Sequence, residues 1–567
     1  MKFHTIINKS LVYSLLFLLI SCSESLIDKP LQPGTQSDVS FRQTAVGLLG
    51  TLNTAYSPLA GSQWQQYPLT WMNFGQMRTD DSMVGGEGDN DSPGAHALND
   101  FIVYSTNGDF STFWRTCYNG IHYANAVIYS APGALAVAEP ADVALINFYV
   151  GQAKCLRAYY YFDLVRQFGD VPLVLDASLA FRPRTSRLLV YDQIEKDLTE
   201  AAAILPKAKD LKPEDRGRMN SGSALAILAK VYLFRASIEP GKENDNFTKA
   251  YTKAKEVITD PKQFSLLSSY DKIWRNTGDF STEGIVEGGQ PAPEVTSAAA
   301  SYWFGISQSP RYYYELKTKK KVGSTYGWGH NCPTQDFVND FEKGDPRLHW
   351  TVYFPGDSAV HGNTKSIKQE ICFDLSMTGY YYRKYTPEYS RTSMENPLNI
   401  KFYRYSDLLL VGAEAANEIN KTADALDWLE QVRARARNTP PASNHKSAAE
   451  YTEGVPVKIT TTDQGLLRGI IRHERRIELG CEGHRFYDLV RWDGTYGFDW
   501  KTTIETAQRL PGPNFEVDLE SDGKPDVKSG MPRAPHIVLV EDKHKLSPIP
   551  DADIRSSGGT LTQNEGY

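Results

Sequence analysis

A chain of 567 residues with 41% hydrophobic and 23% charged residues has globular proportions, enough for one very large domain or a few ordinary ones. Its formal net charge of −7 and pI near 5.9 lack the basic footprint of a nucleic-acid binder and exclude that class. Aromatic residues reach 12%, with 32 Tyr and 10 Trp. That stock serves either a tyrosine-rich core or a surface that stacks flat faces on sugar rings or peptides.

The N-terminus has the anatomy of a signal peptide over residues 1–21. Met1-Lys2 and Lys9 give a basic start, and Leu11 to Ile20 is an apolar run. The run falls short of the roughly 20 apolar residues that span a bilayer, and no other stretch approaches that length. It ends in Leu19-Ile20-Ser21-Cys22, which resembles a bacterial lipobox. The resemblance implies cleavage before Cys22 and lipid on its thiol; the competing reading is an ordinary signal peptide with a chance cysteine. Residues 22–40 then form a lipidated tether. Cysteines occur at 22, 117, 155, 332, 372 and 481 without any Cys-x-x-Cys or Cys/His cluster, so no zinc site is expected. With Cys22 lipidated, at least one of the others is unpaired. Cys155 reads as a small buried hydrophobe, and disulfide pairing stays open.

From residue 41 the periodicity is helical. Val46, Leu49, Leu52 and Tyr56 mark a first helix over 41–60, followed by an aromatic loop, Trp64-Gln65-Gln66-Tyr67-Pro68. Thr79 to Asp91 is a Gly/Asp-rich loop dense in oxygen ligands, but it lacks the ligand ladder and terminal Glu of an EF-hand and reads as a solvated turn. Trp114–Ile128 is a second amphipathic helix. Next comes Gly151–Phe168, with apolar residues at 153, 156, 160, 161, 164, 165 and 168, a glycine stop at Gly169, and Val171-Pro172 beyond it. Tyr159, Tyr160 and Tyr161 point in three directions, so this helix must be gripped from several sides.

Residues 191–206 form another helix, and Ser221–Ala236 pairs with 247–258. Residues 405–437 repeat that two-helix plan. Each pair spans about 34 residues, the length of a tetratricopeptide hairpin, although the repeat's consensus residues are mostly missing. Hairpins of this kind bury their faces by stacking, which predicts a mostly α fold built as a helical-hairpin scaffold. Between 265 and 400, and again over 509–543, Gly, Pro and aromatics dominate; these stretches read as loops draped over the scaffold, where binding residues concentrate.

Catalytic motifs are missing. There is no Gly-x-Ser-x-Gly, no phosphate-binding glycine loop and no His-Glu-x-x-His. His473-Glu474 lacks the second histidine and belongs to a helix laced with Glu–Arg pairs at i, i+4. No cofactor is expected, and the chain reads as a non-enzyme. A glycosidase needs only two placed carboxylates, so a lipid-anchored glycoside hydrolase remains a competing reading.

Several segments, in order along the chain, resemble the SusD/RagB family of Bacteroidetes outer-membrane lipoproteins. They are Leu156–Val165 with Phe168-Gly169-Asp170-Val171-Pro172-Leu173, Gly344-Asp345-Pro346-Arg347, Tyr382-Arg383-Lys384-Tyr385 and Tyr403–Leu410. Glu474–Leu479 with Gly483–Leu489, and the ending Leu546–Pro550 with Leu561–Tyr567, complete the set. The resemblance implies four tetratricopeptide-like helix pairs with a loop-rich ligand face, in a single domain over 41–567. It also implies a surface lipoprotein of the outer membrane that captures oligo- or polysaccharide and passes it to a TonB-dependent transporter of the SusC type. A peptide-binding member of the same family is the alternative.

Arg475, Arg476, Arg485 and Asp488 read as partners in buried ion-pair networks, since dense opposite charges beside apolar residues must be paired. Ligand contacts are sought instead among loop aromatics: Trp64, Tyr67, Trp303, Tyr326 and Trp328. Asp80, Asp81 and Arg383 are the polar groups expected beside them to hold sugar hydroxyls.

Overall fold

Helix α1 (Ala45–Ala60) shows how the periodicity translates into packing. Leu48, Leu52, Ala55 and Leu59 are buried, Leu49 and Tyr56 are half-buried, and Val46 is 71% exposed. The predicted stripe is therefore rotated by part of a turn. The computed structural model describes residues 43–60, 67–86, 90–289, 302–315, 320–323, 327–354, 357, 369–372, 376, 378–386, 398–442, 451–508, 510, 516–517, 527–528 and 538–567. The signal peptide, Cys22 and the tether lie outside the described residues, as do Trp64 and Tyr326.

After α2 (Tyr67–Gln76), strand β1 (Ser82–Val84) and α3 (Pro93–Asn99) come the long helices α4 (Gly108–Ala136) and α5 (Pro140–Phe168). Then follow α6 (Arg187–Ile204), α7 (Ser221–Ile238) and α8 (Glu243–Ile258). Consecutive helices from α4 to α8 pack side by side. Side chains cap two of these helices: Asn107 accepts from Asp109 N at 3.0 Å and Asn220 from Ser223 N at 3.0 Å. Gly169 ends α5 at φ 73°. Helix α7 is apolar and long enough to pass for a membrane span, yet 83% of it is buried inside the protein. Its apolarity is core packing.

Between 284 and 404 the described chain forms short pieces: β2 (Gly284–Gly288), α9 (Tyr302–Gln308), β3 (Tyr312–Glu315), β4 (Lys320–Gly323), β5 (Asn331–Pro333), α10 (Gln335–Asn339), α11 (Arg347–Thr351), β6 (Val352–Tyr353), β7 (Gln369–Cys372), β8 (Tyr381–Tyr382) and β9 (Ile400–Arg404). They pair antiparallel as β1–β5, β2–β9 and β6–β8, and as the sheet β4-β3-β7. The loop-rich stretch thus carries small sheets that alternation alone did not reveal. Helix α12 (Tyr405–Glu418) then packs on α8, with α13 (Thr422–Arg437) and α14 (Gln464–Leu479) beside it. Helices α15 (Arg485–Trp492), α16 (Trp500–Gln508) and α17 (Asp551–Ser556) close the chain. One hydrophobic cluster runs from Leu48 to Leu561.

Helix α5 is held from several sides. Tyr160 Oη donates to Ala55 O of α1 at 2.7 Å, and Tyr161 Oη donates to Val174 O at 2.9 Å. Tyr159 is buried edge-on to Tyr160. Gly120 of α4 makes room for this, since a Cβ there would lie 2.3 Å from the Tyr160 ring. Arg157 binds both carboxylate oxygens of Asp197 on α6, at 2.8 and 2.6 Å. Cys117, Cys155 and Cys481 are buried free thiols, and Cys332 is buried.

Helix α14 sends neighbouring charges into three separate networks. Glu474 and Glu478 meet Arg347, Arg404, Arg433 and Arg435. Arg475 reaches Asp407 and Asp488, at 2.8 and 3.0 Å. Arg476 reaches Asp80, Asp81, Asp336 and Asp340. The predicted i, i+4 pairing is replaced here by pairing between elements, because these positions face the interior, where only distant partners can neutralise a charge.

These networks set a pH dependence. Burial acts to raise Asp80, but Arg476 and Arg485 overcome it and hold the carboxyl at about 2. Burial likewise opposes Arg475 and Arg491 at Asp488, which also ends at about 2. Folded values below the ordinary carboxylate value of about 4 mean stabilisation that is present above that value and lost as pH falls toward about 2. Each group is expected to contribute about 2 kcal/mol across that window. Asp81, raised to about 6 by burial and by Asp80, acts in the opposite sense at higher pH. Denaturant midpoints measured between pH 5 and pH 2 check this; a flat profile below pH 4 would refute it.

Candidate functional site

Two glycine-rich segments meet at the β1–β5 edge. Gly85 N donates to His330 O at 2.9 Å, continuing the ladder in which Val84 faces Asn331. Gly329 N and His330 N donate to Ser309 O and Ser307 O, both at 2.8 Å, fixing the segment against the end of α9. The approach requires glycine. A Cβ on Gly85 would lie 2.0 Å from Gly329 O, and one on Gly327 would lie 2.1 Å from Pro310 O.

This clamp presents Trp328, His330, Arg311 and Asp91 together. The Trp328 and His330 rings are 5.3 Å apart at 36°. Asp91 Oδ1 lies 3.2 Å from His330 Nε2, and its other oxygen accepts from Arg311 Nη1. Arg311 and Asp91 are partly exposed, with side-chain exposures of 20% and 27%. An indole face beside a charged pair matches what a pyranose offers, an apolar C–H face with a rim of hydroxyls. Among the described residues no group of three or more His, Cys, Asp or Glu is arranged to hold a metal ion.

The sequence-predicted residues divide sharply. Trp328 stands in this cluster, and Trp303 falls within α9, the helix that braces it. Tyr67 does not reach a ligand surface. It is fully buried, stacks on Phe113 at 5.4 Å and donates to Asp163. Asp80 and Asp81 are also fully buried: Arg485 grips Asp80 at 2.9 and 2.6 Å, and Arg476 Nε holds Asp81 at 2.7 Å. Arg383 lies over the Trp350 ring at 4.1 Å and donates to His349 O at 2.8 Å. These four serve the interior, because their polar atoms face protein partners. The supposed solvated turn at Thr79–Val84 is likewise a buried strand and its approach. Asp91, Arg311 and His330 were missed; the doubled glycine at 85–86 and the glycines flanking Trp328 were the signal, since they mark close backbone approach.

A serial helical-hairpin scaffold that carries a loop-built aromatic and charged cluster defines a class of α-helical binding protein. Two family models match the chain, one described as the SusD family over residues 285–567. The other, described as starch-binding associating with outer membrane, matches residues 63–233. The chain belongs to the SusD/RagB family. A SusD-like protein of Formosa agariphila, P2, is 28% identical, with 98% of each chain covered. A SusD-like protein of Bacteroides ovatus is 25% identical over 84% of this chain and 80% of its own. Among solved structures, a SusD-like protein from Bacteroides fragilis superimposes with TM-score 0.72 at 21% identity, covering 95% of this chain and 100% of the other. Surface glycan-binding protein A from Bacteroides thetaiotaomicron, in complex with laminarihexaose, gives TM-score 0.65 at 21% identity over 92% and 99%. At such identities these structures establish the shared fold.

Proposed function

We propose that the protein is a non-catalytic, lipid-anchored protein of the outer-membrane surface. In this reading its single domain, residues 41–567, binds oligo- or polysaccharide and delivers it to a SusC-type TonB-dependent transporter. The observation that carries the reading is the Trp328–His330–Arg311–Asp91 cluster on a scaffold of this family, with an indole platform beside charged hydrogen-bonding groups. Trp303, Tyr326 and Trp64 are further proposed ligand contacts, from the sequence alone. Lipid at Cys22 supplies the anchor, and the family resemblance supplies the transporter.

Affinity electrophoresis on a panel of neutral polysaccharides including laminarin tests the reading. Trp328→Ala is expected to cost about 1.5 kcal/mol, roughly a tenfold loss of affinity, with an unchanged thermal midpoint. Unchanged retardation would remove Trp328 from the site. Release of sugars by the purified protein alone would overturn the non-catalytic assignment.

A further inference from the structure

Where α5 and α7 end, the start of α6, one face of α15 and the tail 564–566 enclose a cavity of ≈ 880 Å³, a size that suits a small ligand. We propose that it binds a small organic acid, a single carboxylate carried on an apolar body. The cavity shares no residue with the Trp328 cluster, and the proposal does not depend on the carbohydrate reading.

Two otherwise buried side chains bring polar groups with nothing to bond into this space. The Arg166 side chain is 5% exposed, and its guanidinium packs on the rings of Phe162 and Tyr487, each at 4.3 Å. Nη2 donates to Asp163. Nε is sealed in the packing, but Nη1 is neither sealed nor hydrogen-bonded among the described residues. Tyr191, 2% exposed, likewise ends in a hydroxyl that is not sealed and has no partner among the described residues. Burial keeps that hydroxyl protonated, its pKa pushed up to about 12 although Arg166 and Arg187 pull it down. Arg187, half-buried at the first position of α6, is near enough to be felt there, and its side chain pairs with no carboxylate among the described residues.

The other charges around the cavity are already spent. Arg184 donates to Asp170 O at 2.8 Å and to Thr562 O and Gln563 O, both at 3.2 Å. Arg491 holds Glu414 and Asp488, and Lys545 holds Asp493 at 2.6 Å and Asp542 at 3.2 Å. Asp170 accepts from Arg187 N at 2.8 Å and so caps α6. The apolar lining is not covered: Ile238, Val490 and Leu546 are only half-buried.

These features select one ligand chemistry. Two guanidinium donors and a neutral hydroxyl call for an oxyanion. Asp163 already balances Arg166, so Arg187 leaves one positive charge to be met, and a polyanion would meet the carboxylates of Asp170, Asp493 and Asp542. A bare inorganic anion leaves the apolar wall in water, and a neutral ligand leaves Arg187 without a counter-charge. A monocarboxylate places its two oxygens on Arg166 Nη1 and Tyr191 Oη, beside Arg187, and its hydrocarbon on the wall.

Isothermal titration of the full chain with 3-phenylpropionate and with hexanoate tests this, beside 3-phenylpropionamide as the neutral isostere and sodium sulfate as the bare anion. Tyr191→Phe removes only an unbonded hydroxyl, so it is expected to keep the wild-type thermal midpoint and to bind the acids roughly fivefold more weakly. Arg187→Ala is expected to lose roughly tenfold, with a shallower salt dependence. Laminarin is expected not to compete. Failure of both acids to bind the wild type at millimolar concentration, equal binding of the amide, or unchanged affinity in either variant each overturns the proposal. Sulfate binding as tight as that of the acids reduces the site to an adventitious anion, and competition by laminarin merges it with a glycan site; both outcomes also overturn it.

Discussion

Arg404→Met is expected to destabilise the fold by about 3–5 kcal/mol, the cost of leaving buried carboxylates without their cation. Arg404 is 1% exposed. Its guanidinium donates to Glu482 at 2.6 and 2.8 Å, to Glu283 at 3.0 Å, to Glu478 Oε1 at 2.5 Å and to Glu478 O at 2.7 Å. Without it Arg347, Arg435 and Lys384 remain to face the same acids. Methionine fills the volume but supplies no donor, so the loss is electrostatic. The denaturant midpoint should fall with the slope unchanged, and a second substitution, Glu482→Gln, should restore part of the loss by removing one orphaned charge. A shift below 1 kcal/mol would show that water enters the network and screens it.

Gly75→Ala should be comparably severe for a steric reason. A Cβ there would lie 1.9 Å from Gly483 O and 2.5 Å from its carbonyl carbon, so two backbones touch. Gly483 cannot withdraw: it holds φ 67°, and its own Cβ would lie 2.8 Å from the Trp71 ring. Overpacking of this kind costs about 1–3 kcal/mol, and more when the obstacle is main chain. Gly50→Ala is the control. It lies in α1 with nothing within 4 Å of the added methyl, so it should raise stability by about 0.5–1 kcal/mol through helix propensity. Thermal midpoints of the two variants should move in opposite directions; equal shifts would refute the steric account.

The helices were legible because their faces are apolar at helical spacing, and the end of α5 because Gly169 stops it. Ser221–Ile238 and Tyr405–Arg437 appear within a residue or two of the periodic pattern. The face of α1 was misjudged because Val46 is apolar yet outward, and hydrophobicity alone does not say which of two adjacent stripes meets the core. At the site, an Asp in a Gly-rich stretch looked solvent-facing, but Asp80 and Asp81 answer to Arg476 and Arg485, some four hundred residues away. A pairing at that separation has no local signature. Trp328 was singled out as an aromatic in a loop-rich stretch; Asp91 and Arg311 gave no such signal, because they meet only after β1 and β5 pair.

The clamp that holds residues 327–330 is made by main-chain groups: Gly85 N to His330 O, and Gly329 N and His330 N to carbonyls at the end of α9. Nothing in that clamp consults the side chain at 328. Exchanging Trp328 for another side chain therefore leaves these main-chain bonds in place, so the residue at this position is interchangeable in a way that the framework is not. On α14 the opposite holds, since Glu474, Arg475, Arg476 and Glu478 each answer to different partners, and a change at one strands charges elsewhere. The molecule separates a fixed chassis from a replaceable fitting.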